Sequence, residues 1–328
     1  MMNPNPQQQQ KIGVGLFGEN GHQIAARLMH DSNFRVVAHA QMSARSLPSA
    51  ALEDASIAKV ESLADLLANP AVRLVSLCSP RRADQAAQAM ECLQAGRHVL
   101  AEKPCAMTLP DLDRLMDAAV KSGLVFREMA NDLGWQQPYL AMRRLVESGG
   151  LGRVIQVLAQ KSYPMHAGRP DDENVDGGLL LQCASHTLRM IEQVAGQPIE
   201  SIYAMETTRA ENGTGLRIAA SMMMRLGGGA LGTAVANYLN PHGFGLWGNE
   251  HLRVFGTHGM AEITDGGQRS RWYTASGDAG PLQQVEPGKD QLDLLAEEIG
   301  GGISRPALEL QLHPTRMAIL AQNAARAG

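Results

Sequence analysis

Short apolar runs alternate with segments of helical periodicity from residue 11 to about residue 130. The runs are dense in Val, Leu and Ile, which is typical of strands covered on both faces. Two helical segments end at Gly96 and Gly123, where a glycine can adopt the left-handed conformation that closes a helix. This alternation predicts a doubly wound parallel sheet, the Rossmann arrangement. The predicted strands lie at 11–17, 34–40, 72–78, 98–102 and 124–128.

The pattern changes after a helix predicted at 136–152. Strands then follow one another without helices between them, which predicts an α+β domain with a large, mostly antiparallel open sheet. The polar segment Pro164 to Asp176 is too irregular for a helix or strand, and we interpret it as a lid. The predicted strands are 153–163, 201–207, 215–226, 229–239 and 251–265, and the predicted helices are 178–196, 289–301 and 313–327.

A chain of 328 residues suits two domains better than one. We therefore divide it into a disordered tail at 1–10, a dinucleotide-binding Rossmann domain at 11–132 and a substrate-binding and oligomerisation domain at 133–328. The first ten residues lack the basic and apolar regions of a signal peptide.

The composition narrows the range of partners and compartments. A net charge of -4 gives no bulk attraction to nucleic acid or to an anionic membrane, and no apolar run reaches the length of a membrane helix. The four cysteines are scattered and no metal-ligand spacing occurs, which predicts a reducing, cytoplasmic environment and no metal site. The cysteines are Cys78, Cys92, Cys105 and Cys183.

A glycine-rich turn, "GLFGENGHQ" at 15–23, follows the first predicted strand. In the phosphate-binding pattern G-x-G-x-x-G counted from Gly18, the second and third glycines are replaced by Asn20 and Gln23. The alternative is a tight turn that binds nothing. If the turn holds a dinucleotide, the contacting residues are Phe17, Gly18, Glu19, Asn20 and Gly21.

The acidic residue that usually binds the adenosine ribose is absent at the end of the second strand. Gln41 takes that place, and its neutral amide does not repel a 2′-phosphate. Ser43 and Arg45 lie just beyond and could receive one, which slightly favours NADP over NAD. Arg45 as a solvated loop residue is the alternative.

The segment "AEKPCAMT" at 101–108 stands at the end of the fourth predicted strand. Ligands of open α/β sheets bind beyond the carboxyl ends of the strands. Glu102 and Lys103 are placed there, and a lysine at that edge can donate to a substrate hydroxyl or to the nicotinamide ribose. A surface Glu–Lys pair before a helix is the alternative.

The segments "VRLVSLCSP", "AGRHVLAEKP", "VESGGLGRVIQV" and "GGLLLQCASHTLRMIEQVAG" resemble, in this order, the Gfo/Idh/MocA oxidoreductase family. The resemblance runs from about residue 11 to 265 and implies NAD(P)-dependent oxidation or reduction of a sugar-like or polyol substrate. It also implies a homo-oligomer, a dimer or tetramer, formed through the open sheet of the second domain. Met222, Met223 and Met224 suit burial in such an interface, and a monomer core explains them equally.

By this resemblance Lys103 matches the active-site lysine and His186 the histidine of the second domain. A histidine suits proton transfer near neutral pH, and the lysine would position the reacting hydroxyl. Ser79 and Pro80 match the residues that line the cofactor, and Asn131 matches a frequent family asparagine. Arg81, which follows Pro80, could meet a cofactor phosphate or an acidic substrate.

The chain departs from the family pattern at several positions, among them Arg189, where the family often has Asp, and Asp84, where it often has His. The family commonly has an Asp four residues before the histidine, and Gln182 stands there, where it can support the imidazole but carries no negative charge. Two other functions are compatible with this change. One is a nucleotide-binding sensor without turnover, and the other is a glycosidase-type enzyme that uses bound NAD for a transient oxidation.

Overall fold

A computed structural model describes residues 11–129, 137–166, 168–208, 215–302 and 304–327. The strands are β1 Ile12–Phe17, β2 Phe34–Ala40, β3 Ala58–Val60, β4 Leu74–Leu77, β5 His98–Glu102, β6 Phe126–Met129, β7 Val154–Ser162, β8 Ile199–Thr208, β9 Arg217–Leu226, β10 Leu231–Asn237, β11 Asn249–Gly256, β12 Gly259–Thr264, β13 Arg269–Thr274 and β14 Gly277–Gly280. The helices are α1 Ala25–Leu28, α2 Ser49–Glu53, α3 Leu63–Ala68, α4 Gln85–Gln94, α5 Leu109–Ser122, α6 Tyr139–Glu147, α7 Glu173–Asp176, α8 Ser185–Ala195, α9 Gln291–Gly301 and α10 Arg305–Ala327.

The chain divides into two compact units that are not contiguous in sequence. The first runs to Glu102 and adds Asp113–Met129 and Lys289–Leu308. The second consists of Lys103–Leu112, Ala130–Gly288 and Glu309–Gly328. The domain boundary at residue 132 stays a prediction, and the grouping of 289–308 with the first unit is an addition to it.

The first unit is built on six parallel strands in the order β3-β2-β1-β4-β5-β6. This is the doubly wound order, so the predicted Rossmann sheet is confirmed. Val14 and Leu16 of β1 and Leu74 of β4 are fully buried, as expected for a strand pair with both faces covered. The chain reverses its winding between β1 and β4, and this switch point is where such sheets bind their ligands.

Helix α9 belongs to the core of the first unit. Its Leu292 and Leu295 are buried in the same apolar cluster as Phe34 and Leu28. Arg127 of β6 pairs with Glu298 of this helix at 2.7 Å. Helix α9, although distant in sequence, therefore packs against the first sheet as part of its core.

The described part of the second unit contains eight strands in the order β14-β13-β12-β11-β7-β10-β9-β8, of which only the β7–β10 pair is parallel. This confirms the mostly antiparallel sheet. Side chains alternate between its faces, so Met222 and Met224 are buried while Met223 between them is 67% exposed. The three methionines thus split between the core and an open face.

Several local predictions were wrong. The last helix begins at Arg305 instead of 313, because Ser304 precedes its first turn and accepts the Leu308 N–H at its carbonyl, and Pro314 lies inside the helix. The segment after Pro164 contains the short helix α7, capped by Asp172. Strands β3, β13 and β14 were missed because they are short or polar. No helix in the described parts of the chain is both long enough and apolar enough to cross a bilayer.

Candidate functional site

The glycine turn lies at the carboxyl edge of the first sheet. Phe17 pairs with Ala40 of β2 and Leu77 of β4, so the chain leaves β1 directly at the switch point. Gly18 follows with φ +70°, and a Cβ there would lie 2.1 Å from the carbonyl oxygen of Cys78. Only glycine permits this approach of the turn to the end of β4.

Gln23, which stands where the pattern has its third glycine, closes the turn with its side chain. Its Nε2 donates to the Gly18 carbonyl at 3.0 Å, and its Oε1 accepts from the Ser76 hydroxyl at 2.5 Å. Asn20, in place of the second glycine, donates from Nδ2 to the carbonyl of Pro80 at 3.1 Å. The two substitutions therefore fasten the turn to β4 without removing it.

A buried arginine supports the turn from the β4–α4 connection. Arg82 is 3% exposed and donates to the Asn20 carbonyl at 2.7 Å and to the Gln85 side chain. Gln85 in turn donates to the carbonyl of Glu102. Arg81, which was predicted to contact the cofactor, is exposed to solvent. The arginine that contacts the turn is instead its neighbour Arg82.

Glu102 ends β5 with a carboxylate that is 1% exposed. Its Oε2 accepts the His22 backbone N–H at 2.6 Å, and its Oε1 lies 3.0 Å from His22 Nδ1. A Cβ at Gly21, where φ is +132°, would lie 2.5 Å from this carboxyl group. The buried charge is thus held by the main chain of the turn.

The first unit fits a dinucleotide by two observations. The carboxyl end of β4 meets a turn that a side chain at Gly18 would obstruct, which is the close backbone approach that a pyrophosphate requires. Ser79 is fully buried, and its hydroxyl has no hydrogen-bond partner among the residues that the structure describes. A buried hydroxyl of this kind is available to a ligand.

The end of β2 carries two features at the expected ribose position. Gln41 is exposed and has φ +52°, an unusual conformation for a residue with a long side chain. Ser43 donates its backbone N–H to Glu19 Oε2 at 2.7 Å, so the turn residue Glu19 reaches the loop after β2. Arg45 is exposed in the short turn Ala44–Ser46.

Phe17 and Asn131 were also predicted to contact the cofactor. The Phe17 side chain is 1% exposed and the Phe17 carbonyl accepts from Cys78 N, so the residue packs in the core and joins β1 to β4. Asn131 lies outside the described residues.

The second unit brings together Lys103, Gln182 and His186. Lys103 is 3% exposed and donates from Nζ to the backbone carbonyl of Gln182. Gln182 lies in a π-helical turn, Leu180–Ala184, that leads directly into α8 with His186 in its first turn. The α-helical spacing assumed from sequence is therefore wrong here, and π turns of this kind recur at functional sites.

The side chain of Gln182 is held by a buried tyrosine. Tyr238 is 1% exposed, and its hydroxyl donates to Gln182 Oε1 at 3.4 Å. Burial raises the pKa of Tyr238 well above its ordinary value, so the phenol stays a donor. Arg169 lies 3.6 Å from the centre of the Tyr238 ring and pairs with Asp176 at 3.4 Å.

His186 is 7% exposed and meets Tyr163 edge to face, with 6.5 Å between ring centres. Tyr163 also contacts Trp247, which is 57% exposed, at 5.9 Å between ring centres. Lys161 lies 5.0 Å from the Tyr163 ring centre and pairs with Glu250, its register partner on β11. Tyr163 thus contacts both His186 and the buried Lys161.

Cys183 does not act as a nucleophile in this cluster. Burial raises the pKa of its thiol to about 11, although the positive charges of Lys161, Lys103 and Arg169 oppose the shift. At neutral pH it is a neutral thiol that donates to the Lys161 carbonyl at 3.6 Å. The same three charges mark the cluster as locally rich in cations.

Sequence reasoning missed Tyr238, Lys161 and Arg82 as parts of these clusters. Each gave a signal. Tyr238 lies near the end of the predicted strand 229–239, Lys161 falls in the same alternation as the apolar Val157 and Ala159, and Arg82 follows the predicted ligand-binding edge. Among the described residues, no group of three or more His, Cys, Asp or Glu side chains is placed to hold a metal ion.

Two family models match the chain. The model "Oxidoreductase family, NAD-binding Rossmann fold" matches residues 11–129, and the model "GFO/IDH/MocA C-terminal domain" matches residues 139–262. Together they span most of the described structure, with one model falling in each unit's main segment.

Individual relatives are similar over part of their length. A myo-inositol 2-dehydrogenase of Thermotoga maritima is 24% identical over 200 residues, which are 60% of this chain and 57% of that protein. The chain spans about half the length of the curated relatives it matches.

Two solved structures share the fold. The WlbA dehydrogenase of Bordetella pertussis, in complex with NADH and UDP-GlcNAcA, superposes with a TM-score of 0.78 at 23% identity, covering 97% of this chain and 98% of that one. A 3-ketoreductase of Actinomadura kijaniata, in complex with NADP, gives a TM-score of 0.75 at 19% identity, covering 96% and 98%.

Proposed function

The chain belongs to the GFO/IDH/MocA oxidoreductase family, and from this premise we propose that it is an NAD(P)-dependent dehydrogenase or reductase of a sugar-like or polyol substrate. The observation that carries the proposal is the meeting of Lys103 with the π turn that leads into His186. Lys103 thus contacts the segment that carries both Gln182 and His186, which supports a shared role.

The first unit would bind the dinucleotide. Gly18 and Gly21 allow the backbone approach, while Asn20 and Gln23 fasten the turn to β4. The Ser79 hydroxyl is available to the ligand. The bound nicotinamide supplies or accepts the hydride.

The second unit would hold the substrate's reacting oxygen and move its proton. Lys103 donates a hydrogen bond from its ammonium group to that oxygen and stabilises negative charge that develops on it. His186 takes the proton in oxidation and returns it in reduction. Gln182, oriented by Tyr238, presents its amide to a neighbouring hydroxyl of the substrate.

The test is a substrate screen with the purified protein. Cyclic polyols and aldoses are offered with NAD or NADP, and keto sugars with NADH or NADPH, while nicotinamide absorbance is followed. Turnover with one substrate class, lost in His186→Gln, supports the proposal. Dinucleotide binding with no turnover across the panel would instead support a sensor. Release of a tightly bound NAD on denaturation, with glycoside cleavage and no net redox change, would support the glycosidase-type reaction.

We also propose that a second copy of the chain covers the open face of the second sheet. Tyr203, Met205 and Met223 are each at least 67% exposed there, and Tyr203 and Met223 are register partners. An apolar group of this kind on one face is typical of a protein interface. Met223→Glu is expected to shift the protein to a smaller species in analytical ultracentrifugation, while Leu310→Glu, on an exposed position of α10, leaves its size unchanged.

A further inference from the structure

The loop after β2 binds a carboxylate of the protein itself, the side chain of Glu19. Glu19 extends from the glycine turn and accepts the Ser43 backbone N–H at 2.7 Å. The hydroxyl groups of Ser43 and Ser46 lie 3.4 Å apart in the same loop. One N–H and two hydroxyls converging on a carboxylate form a small anion-binding group.

This group lies where the adenosine ribose of a dinucleotide belongs. In doubly wound sheets the end of the second strand contacts the 2′ position of that ribose. Here β1 and β2 end side by side, since Phe17 pairs with Ala40 and the Gly18 N–H donates to the Ala40 carbonyl at 3.0 Å. Glu19 follows Gly18 directly, and Ser43 is the third residue after Ala40.

We propose that Glu19 sets the choice between NAD and NADP and makes the chain select NAD; this inference rests on the proposed function. The carboxylate that usually follows the second strand is absent, and Glu19 supplies it from the turn instead. The slight preference for NADP expected from Ser43 and Arg45 is thereby reversed, because the donors expected to receive a 2′-phosphate already hold a negative charge.

Charge and hydrogen bonding act in the same direction. The Ser43 N–H lowers the pKa of the Glu19 carboxyl, and the Ser46 hydroxyl lowers it further, so the group is ionised at neutral pH. A phosphate monoester carries close to two negative charges there and would be repelled. A 2′-hydroxyl, in contrast, can donate a hydrogen bond to the carboxylate. Glu19 and Arg45 are both exposed, so solvent screens the repulsion and the attraction alike. What favours Glu19 is that the Ser43 N–H, a donor a 2′-phosphate would need, is already bound to it.

The experiment is a binding titration with NADH and NADPH separately, followed by nicotinamide fluorescence and needing no turnover. We expect the wild-type protein to bind NADPH about 10- to 100-fold more weakly than NADH. Glu19→Gln keeps an acceptor for the Ser43 N–H and removes only the charge. It is expected to shift the ratio of the two dissociation constants at least about tenfold toward NADPH, with NADH binding changed less than about threefold.

Two controls isolate the charge at this position. Glu53→Gln makes the same change of net charge at an exposed residue of α2 and is expected to leave the ratio unchanged. Glu19→Gln combined with Arg45→Ala should lose most of the NADPH affinity that Glu19→Gln gains. Should Glu19→Gln disturb the turn, the wild-type protein is titrated with adenosine diphosphate and its 2′-phosphorylated form, and weaker binding of the latter is required.

The outcomes separate this inference from the proposed function. NADPH binding as tight as NADH binding in the wild type, or a ratio unchanged by Glu19→Gln, would overturn the role of Glu19 and leave the dehydrogenase proposal intact. Failure of both dinucleotides to bind, with no nicotinamide released on denaturation, would overturn both.

Discussion

The two units differ in what holds the charged side chains at their candidate sites. In the first, the carboxylate of Glu102 accepts the backbone N–H of His22, and that of Glu19 accepts the N–H of Ser43. In the second, Lys161 faces Glu250, and Arg169 faces Asp176 and the Tyr238 ring, while Lys103 is the exception that donates to a backbone carbonyl.

This difference matches two kinds of ligand. A charge held by main-chain amides stays fixed while the sheet stays folded, which suits a dinucleotide of constant shape. A charge held by another charge responds to pH and to the charge of whatever approaches it. On the proposed function, the first unit binds the ligand of constant shape, and the second is where we expect substrate selection to lie.

The largest expected effect is at Lys103, the buried cation that donates to a backbone carbonyl in the second unit. Lys103→Met should lower kcat/KM about 10³-fold, because the donor to the reacting oxygen is lost. NADH affinity should stay within about threefold if binding belongs mainly to the first unit. The assay is steady-state kinetics with the substrate found in the screen, together with the fluorescence titration.

Lys121→Met provides the matched control, since Lys121 is exposed at the end of α5. Loss of NADH binding in Lys103→Met without loss of turnover per bound cofactor would contradict the assignment of this lysine to the substrate oxygen.

The second largest effect is expected at the glycine turn of the first unit, which has no room for a side chain at Gly18. Gly18 and Gly96 have nearly the same left-handed conformation, with φ +70° and φ +75°. A Cβ at Gly18 meets a backbone oxygen at 2.1 Å, and a Cβ at Gly96 meets nothing within 4 Å. Gly18→Ala should therefore cost about 3 kcal/mol of unfolding free energy and Gly96→Ala about 1 kcal/mol. Urea unfolding followed by circular dichroism measures both losses of unfolding free energy. Equal losses would mean that the turn shifts to accommodate the alanine and is not rigid.

The two units differ in how much of their fold could be predicted from the sequence. The parallel sheet was predictable because five of its six strands are short, mostly apolar runs and the helices after β4 and β5 end just before Gly96 and Gly123. Helix α9 was predicted as a helix but not as part of the first unit, since nothing local indicates that Leu292 and Leu295 pack near Phe34. Contacts between distant segments depend on topology, which periodicity does not contain.

The same limit applies to the candidate site. Lys103, Gln182 and His186 were predicted by their order in a family pattern, and the structure brings the first two into contact. The π turn was missed because its residues, "LLQCA", fit an α-helix equally well. The reach of Glu19 to Ser43 was missed for another reason: the two are 24 positions apart, and only the pairing of β1 with β2 makes them neighbours.

A partly buried carboxyl in the second unit predicts a pH dependence of the unfolding free energy. Glu206 on β8 faces Arg217 at 3.2 Å, yet burial raises the pKa of its carboxyl from 4.5 to about 7. Arg217 opposes this shift but is shared with Glu173, at 2.9 Å. From pH 4.5 to 7 the unfolded chain releases this proton while the folded chain keeps it. The unfolding free energy should fall by about 2 kcal/mol over that interval and then level off.

Tryptophan fluorescence can follow this change during urea unfolding, because Trp247 and Trp272 both lie in the second unit. Glu206→Gln should flatten the profile, and Glu200→Gln, an exposed position on the same strand, should not. An unchanged slope in Glu206→Gln would assign the dependence to another group.

The smallest effect concerns Gln41, at the edge where the first unit would receive the ribose. Its φ of +52° is a conformation that asparagine tolerates better than glutamine or alanine. Gln41→Asn should therefore raise the unfolding free energy by about 0.5 kcal/mol, while Gln41→Ala, which also removes the long side chain, should not. If both variants gain equally, the benefit comes from removing the side chain and not from the backbone. If only the asparagine variant gains, the first unit carries backbone strain at the strand end beside Glu19, and the fixed hydrogen bonds of the turn are what maintain it.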